Sequence, residues 1–162
     1  MRRNTFIWWL AIFFVWLISI ALDQAWLIAD QRLPAWDQAD YLSNAMDHGR
    51  ALGLFNGSKW IGWEALLDLS PKIPPLSSLI SGSVMALVGD DPDSASFVLS
   101  LWHGLLLFVV ACWSRQLGGK TLGLIAVGLV AIAPALAGLR VNFTLDFPLT
   151  AISTFSLWLL WN

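Results

Sequence analysis

The sequence predicts an all-α polytopic membrane protein, a bundle of about four transmembrane helices with an outer loop that carries interfacial helices. Three observations predict it. Hydrophobic residues make up 57% of the 162 residues and charged ones 12%, against roughly 45–50% and about 25% in soluble domains. Mean hydropathy is +0.68. Apolar runs near 5–28, 95–114, 121–139 and 145–161 approach the roughly 20 residues a bilayer-spanning helix needs. Most of the acids gather instead in one polar interruption, residues 30–94. The chain thus reads as one membrane domain.

The first run follows Arg2-Arg3 and carries no charge from Asn4 to Leu22. Ser19-Ile20-Ala21 would suit a signal-peptide cleavage site. The run is long for that role, however, and hydrophobicity resumes at Trp26-Leu27-Ile28, so an uncleaved first span is the better reading. In the interruption, Asp37, Asp40, Tyr41, Asn44, Asp47 and His48 fall on one helical stripe, with Leu42, Ala45 and Met46 off it. This predicts a surface helix over Asp37–Arg50, with Asp37 as N-cap and Gly49 at its C′ position. Residues Gly53–Ser70 read as loop with a short helix near Trp63–Leu69. Leu76–Gly89 is uncharged but short and serine-rich, which favours an interfacial or re-entrant helix over a span. Gly89-Asp90-Asp91-Pro92-Asp93 then breaks it. A span over Ala95–Ser114 leads into a basic turn, Arg115–Lys120, and a second span over Thr121–Gly138. After a polar link from Arg140 to Asp146, the last helix begins near Leu145.

Charge arranges these elements. With Arg2-Arg3 in the cytoplasm and Leu76–Gly89 not crossing, Arg115 and Lys120 also fall inside, as the positive-inside bias requires. The acidic loop then lies outside. This predicts an integral protein of the cytoplasmic (inner) membrane with a cytoplasmic N-terminus. Trp8, Trp9, Trp26, Trp113, Trp158 and Trp161 sit near the ends of apolar runs, where headgroup-layer anchoring is the expected role. The single cysteine, Cys112, has no internal disulfide partner.

Several residues are candidates for chemistry. Asp37, just after a span, could take a proton from a hydroxyl nucleophile; serving only as a helix cap is the plainer alternative. Asp40 has the same two readings. Lys72, before the stiff Pro74-Pro75 pair, suits a lipid phosphate or simple anchoring at the interface. Arg140 has the same two readings on the outer side. Asp146 sits at the mouth of the last span, where an ionisable group is costly and suggests function; an N-cap supported by Pro148 is compatible with that. His103 inside a span and His48 beside Asp47 read more plainly as a packed and a solvated histidine. No phosphate-binding glycine loop, nucleophile triad or paired-cysteine motif occurs. The basic residues are too scattered for nucleic acid.

The order of these motifs resembles the N-terminal portion of GT-C membrane glycosyltransferases of family 39, the protein-mannosyltransferase and aminoarabinose-transferase-like group. Asp37 and Tyr41 match the ends of that family's Asp-Glu-x-x-Tyr motif, with Gln38 in place of Glu. Lys72-Ile73-Pro74-Pro75-Leu76 matches its Lys-Pro-Pro-Leu helix start with one residue inserted. Leu87-Val88-Gly89 matches the helix end, Arg115–Gly119 the basic turn, and Leu145–Leu149 the Asp-Pro-like element. The resemblance implies a partial GT-C fold and inverting transfer of a sugar from a polyprenyl-phosphate donor at the outer face. It implies Asp37 as the catalytic residue, a general base or acceptor-positioning acid, with Tyr41, Lys72, Arg140 and Asp146 binding substrate. It fixes no cofactor; a divalent cation stays open, although Gln38 removes one carboxylate. Implied partners are the lipid-linked sugar, membrane lipids and, because family members are several times longer, a C-terminal half of the enzyme. A non-catalytic membrane subunit or a truncated, inactive fragment is the rival reading.

Overall fold

A computed structural model of the chain describes residues 2–30, 32–70, 73–89 and 91–162, with side chains described from Asn4 onward. Lys72, one of the residues expected to bind substrate, lies outside the described residues. The elements are α1 (Arg2–Ala29), α2 (Trp36–Ala51), α3 (Trp63–Asp68), α4 (Leu76–Val88), α5 (Pro92–Phe97), α6 (Leu99–Ile132), α7 (Pro134–Val141) and α8 (Asp146–Trp161). Among the described residues, extended pairing is limited to one isolated bridge, Leu52 with Trp60. The architecture is an all-α helix bundle, as predicted.

Two stretches, Asn4–Ala29 and Pro92–Ile132, are long and apolar enough to cross a membrane, with mean hydropathies of 2.3 and 2.1. Helices α7 and α8, bent by 120° from one another, make a third if counted as one broken span. The second stretch has 41 residues, which as one straight rod would reach about 60 Å, twice the hydrocarbon thickness. It is not straight. Gly118 and Gly119 leave helical geometry, and Gly119 takes φ +79°, a region that a Cβ disfavours. The two arms fold back on one another, so that a Cβ on Gly123 would lie 3.3 Å from the Ala111 carbonyl oxygen. Leu107 and Ala111 of the first arm and Val127 of the second share one buried cluster with Trp8 and Ile12 of α1.

Indole hydrogen bonds fasten α1 to this hairpin. Trp16 Nε1 donates to the Ser100 carbonyl at 2.8 Å, and Trp8 Nε1 to the Lys120 carbonyl at 2.9 Å. Trp8 is therefore an interior residue, 4% exposed, and not the headgroup anchor expected from its place in the run. Arg115 lies over its ring at 5.4 Å from the centroid. Lys120 Nζ donates to Thr5 Oγ1, and Gln116 Nε2 donates to Asn162 Oδ1. One end of the bundle thus gathers the start of α1, the α6 turn and the end of α8. The opposite end gathers Asp23, Arg140 and the helices of the polar interruption.

The interruption folds as a platform of α2 on α4. Helix α2 begins at Trp36 with Ala35 in the capping position, and no side chain caps it. Asp37 is inside the first turn, so its expected capping role is not met. Gly49 also departs from expectation. It lies within the helix, facing Gly82 of α4, and a Cβ on it would stand 2.8 Å from the Gly82 carbonyl oxygen. Close approach, not a left-handed terminus, is what requires glycine here. Helix α4 buries its small face (Ser77, Ser78, Ser81, Gly82, Met85) and leaves Leu87 87% exposed. His48 is fully buried beneath this crossing, and its Nδ1 lies 2.7 Å from the Asn44 carbonyl, so it does not belong to the solvated stripe.

Boundaries elsewhere follow local rules. Asp91 caps α5 by accepting from the Ser94 backbone N–H and hydroxyl, and Pro92 fills the first turn. The second arm of α6 ends at Ile132 and does not run on toward residue 139. Ala133 is extended ahead of Pro134, which opens α7. Helix α8 starts at Asp146, close to the predicted Leu145, but with no side-chain cap; Asp146 is not an N-cap.

Candidate functional site

The polar end carries two cavities on either side of the end of α7. The link from α7 to α8 is pinned there by Phe143 and Phe147, both buried in the main core with Leu42, Leu99 and Trp102. This holds Asn142 against α2, where Gln38 Nε2 donates to Asn142 Oδ1 at 3.0 Å. Around that amide pair opens a cavity of about 410 Å³, within the usual range for small-molecule pockets. Its polar rim comes from Asp30, Arg32, Gln38, Asp93, Ser96 and Asn142, and its apolar wall from Leu27, Leu33, Pro34, Leu42, Pro92 and Phe143.

Charge at this rim is partly neutralised. Arg32 grips Asp30 with Nε and Nη2, each at 2.7 Å. That fork holds the Asp30 carboxyl down at about 2 and raises the Arg32 guanidinium. Asp93 forms no ion pair among the described residues.

The second cavity is an apolar groove of about 460 Å³, lined by Leu22, Trp26, Ala131, Ile132, Ala137, Gly138 and Val141, with Asp23 and Arg140 as its charged members. Arg140 Nε and Nη2 hold both Asp23 oxygens at 2.6 and 3.0 Å, and Nη1 donates to the Ala131 carbonyl at 3.2 Å. The pair is nearly sealed, with side chains 5% and 14% exposed. In such surroundings ion pairing offsets desolvation only when the geometry is bidentate and the remaining donors are met, as they largely are here. Val141 lines both cavities. A polar chamber and an apolar groove containing a guanidinium therefore adjoin across one residue.

The residues singled out from sequence divide between these places. Arg140 lies in the groove. Asp37 is exposed and lines neither cavity, although Gln38 beside it forms the chamber wall. Tyr41 is half-buried against the core. Asp146 is exposed at the head of α8, four residues beyond Asn142 and outside both linings. His103 is fully buried near Phe147, at 6.0 Å between rings, with neither nitrogen partnered among the described residues. No group of three or more His, Cys, Asp or Glu among the described residues is arranged to hold a metal.

Sequence reasoning missed Asp23, Asp93 and the pairing of Gln38 with Asn142. Asp23 was hidden because apolar residues resume after it; a lone acid inside an otherwise apolar run was the available signal. Asp93 read as part of a helix break. The Gln38–Asn142 pair joins residues 104 apart and left no local trace.

No curated protein and no solved structure matches the chain. One family model does, over residues 72–162, more than half of the chain. That segment includes Asp93, Arg140, Asn142 and Asp146 but not the loop of Asp37 and Tyr41. The chain is an integral membrane protein of GT-C glycosyltransferase type, and it belongs to the dolichyl-phosphate-mannose-protein mannosyltransferase family.

Proposed function

We propose that the chain acts in transfer of a sugar from a polyprenyl-phosphate carrier to an acceptor at the outer face of the inner membrane. One observation carries the reading: the apolar groove with Arg140 and the polar chamber adjoin at Val141. A lipid-linked sugar has the same division, with a greasy chain, a phosphate and a hydroxylated ring in series. The carrier would lie in the groove, the phosphate would stop beside the Arg140–Asp23 pair at its charged end, and the sugar would enter the chamber. Lys72 would add a second cation for the phosphate, and Tyr41 and Asp146 would border the acceptor approach.

The chemistry is a displacement at the anomeric carbon. Asp37 takes the proton of the acceptor hydroxyl, whose oxygen forms the new bond to that carbon. The bond from carbon to phosphate oxygen breaks, and the phosphate leaves with the electron pair, stabilised by the cations. Attack opposite the leaving group inverts configuration. In this reading the chain crosses the bilayer four times, near 5–28, 95–114, 121–139 and 145–161, and loop 30–94 faces outward. Supporting it, Arg115 and Lys120 lie at the bundle end opposite the cavities. Further spans from a C-terminal half would complete the acceptor side.

One observation favours the rival reading of a non-catalytic membrane subunit: Asp37 does not line the chamber. The deciding experiment offers membranes containing the chain a labelled polyprenyl-phosphate hexose, and compares wild type with Asp37→Asn. Loss of transfer in the variant supports the base. Equal transfer removes Asp37 from the mechanism, and no transfer by either favours the subunit.

A further inference from the structure

Resting on that reading, we propose that Asp93 is the specificity-determining residue of the chamber, selecting an uncharged sugar and rejecting an acidic one. Arg32, the cation among the described rim residues, is paired at the surface with Asp30 through both Nε and Nη2. Asp93 lines the same chamber without an ion-pair partner among the described residues. Among the described residues that line the chamber, Asp93 is therefore the one charge without an ion-pair partner.

The neutral groups set a complementary pattern. The bond from Gln38 Nε2 to Asn142 Oδ1 leaves the Gln38 side-chain oxygen as an acceptor and the Asn142 amide as a donor. The carboxylate of Asp93 only accepts and has two oxygens, which suits a pair of adjacent hydroxyls donating side by side. Pro34 and Phe143 supply apolar surface for the C–H face of a ring. Among the described residues lining the chamber, the one charge without a partner would repel a carboxylate on the sugar.

The position suits a specificity role rather than a structural one. Asp93 is exposed in the first turn of α5, and the cap of that helix is made by Asp91, not by Asp93. Replacing it leaves the fold's contacts in place.

The test uses the purified full chain in lipid nanodiscs and three probes: bare polyprenyl phosphate, the same carrier bearing a neutral hexose, and the carrier bearing a hexuronic acid. Wild type is expected to bind the neutral form about tenfold more tightly than the bare carrier, the effect of hydrogen bonds to one ionised group. The hexuronic form should bind no better than the bare carrier. Asp93→Asn should lose most of the tenfold gain, and Asp93→Lys should reverse the preference between the two sugars. Asp93→Ser provides a second neutral variant, and thermal unfolding checks that each variant is folded. A ratio of neutral to hexuronic binding unchanged in all three variants overturns the proposal and leaves the carrier groove standing. Failure of wild type to bind even the bare carrier overturns the two-cavity reading, and this inference with it.

Discussion

The two ends of the bundle are held by different chemistry. At the α6 turn, the neutral Trp8 indole donates to the Lys120 carbonyl, and Gly123 lets the arms of α6 approach. At the cavity end, a carboxylate and a guanidinium from residues 117 apart in sequence are locked together, beside two open cavities. A neutral donor that keeps a hydrogen bond loses little when buried, so the first end can close tightly. A buried charge pair is costly to form and costlier to break, so it fixes one geometry while tolerating a gap around it. The lesson is a division of labour: one end supplies cohesion, the other supplies shape.

The sharpest way to break the comparison is to remove one charge. Arg140→Ala should destabilise the chain by about 3–5 kcal/mol by stranding Asp23, read as a fall in thermal midpoint in detergent. Replacing both residues with apolar ones should recover much of that loss. If the single and double variants melt alike, the pair contributes no geometry. Next in size is overpacking at the opposite end. Gly123→Val should cost about 1–3 kcal/mol, because its Cβ would come within 2.8 Å of the Trp8 ring; a smaller residue, Trp8→Phe, in the same chain should relieve part of it. Alone, Trp8→Phe should cost about 1–3 kcal/mol, the penalty for leaving the Lys120 carbonyl without its donor. Protease sensitivity near the α6 turn should rise with it.

The smallest effect concerns the α5 cap. Asp91→Ala should cost about 1 kcal/mol, seen as faster amide exchange at Ser94. The hydrogen bonds from Ser94 hold the Asp91 carboxyl below its ordinary value of 3.8. Because the folded value is the lower one, the cap's contribution is complete above that ordinary value and is lost as pH falls through the folded one. Wild type and variant should therefore differ equally at pH 7 and pH 5, and converge only below about pH 4. A difference that already shrinks between pH 7 and pH 5 would assign the cap to another group.

Much of the fold was legible because a bilayer makes local demands. Apolar run length, Pro134 and Gly118-Gly119 each speak for their own neighbourhood, and the helices near 63–69, 76–88 and 146–161 fall where local pattern puts them. What escaped was partnership. Nothing near Gly49 says that Gly82 will press against it, and nothing near Trp8 says that its indole meets Lys120. His48 was read as wet because its neighbours on the stripe are polar, yet it is fully buried. Helix α4 itself presents serines inward and leucines outward, the reverse of a soluble helix. In the candidate site, Arg140 stood out as a lone cation, while Asp23, which restrains it, was lost among apolar neighbours. Periodicity finds faces; it does not say which face another helix will choose.

The reversal at Gly118-Gly119 has a consequence for how the molecule is made. Two residues leave no slack for a hydrophilic connection to wait in water while one arm enters the lipid. In the proposed four-span topology the arms would leave the insertion machinery as a joined hairpin, with Arg115 and Lys120 travelling together. Neither arm would then turn over without dragging its twin, and biosynthesis would commit both in a single event.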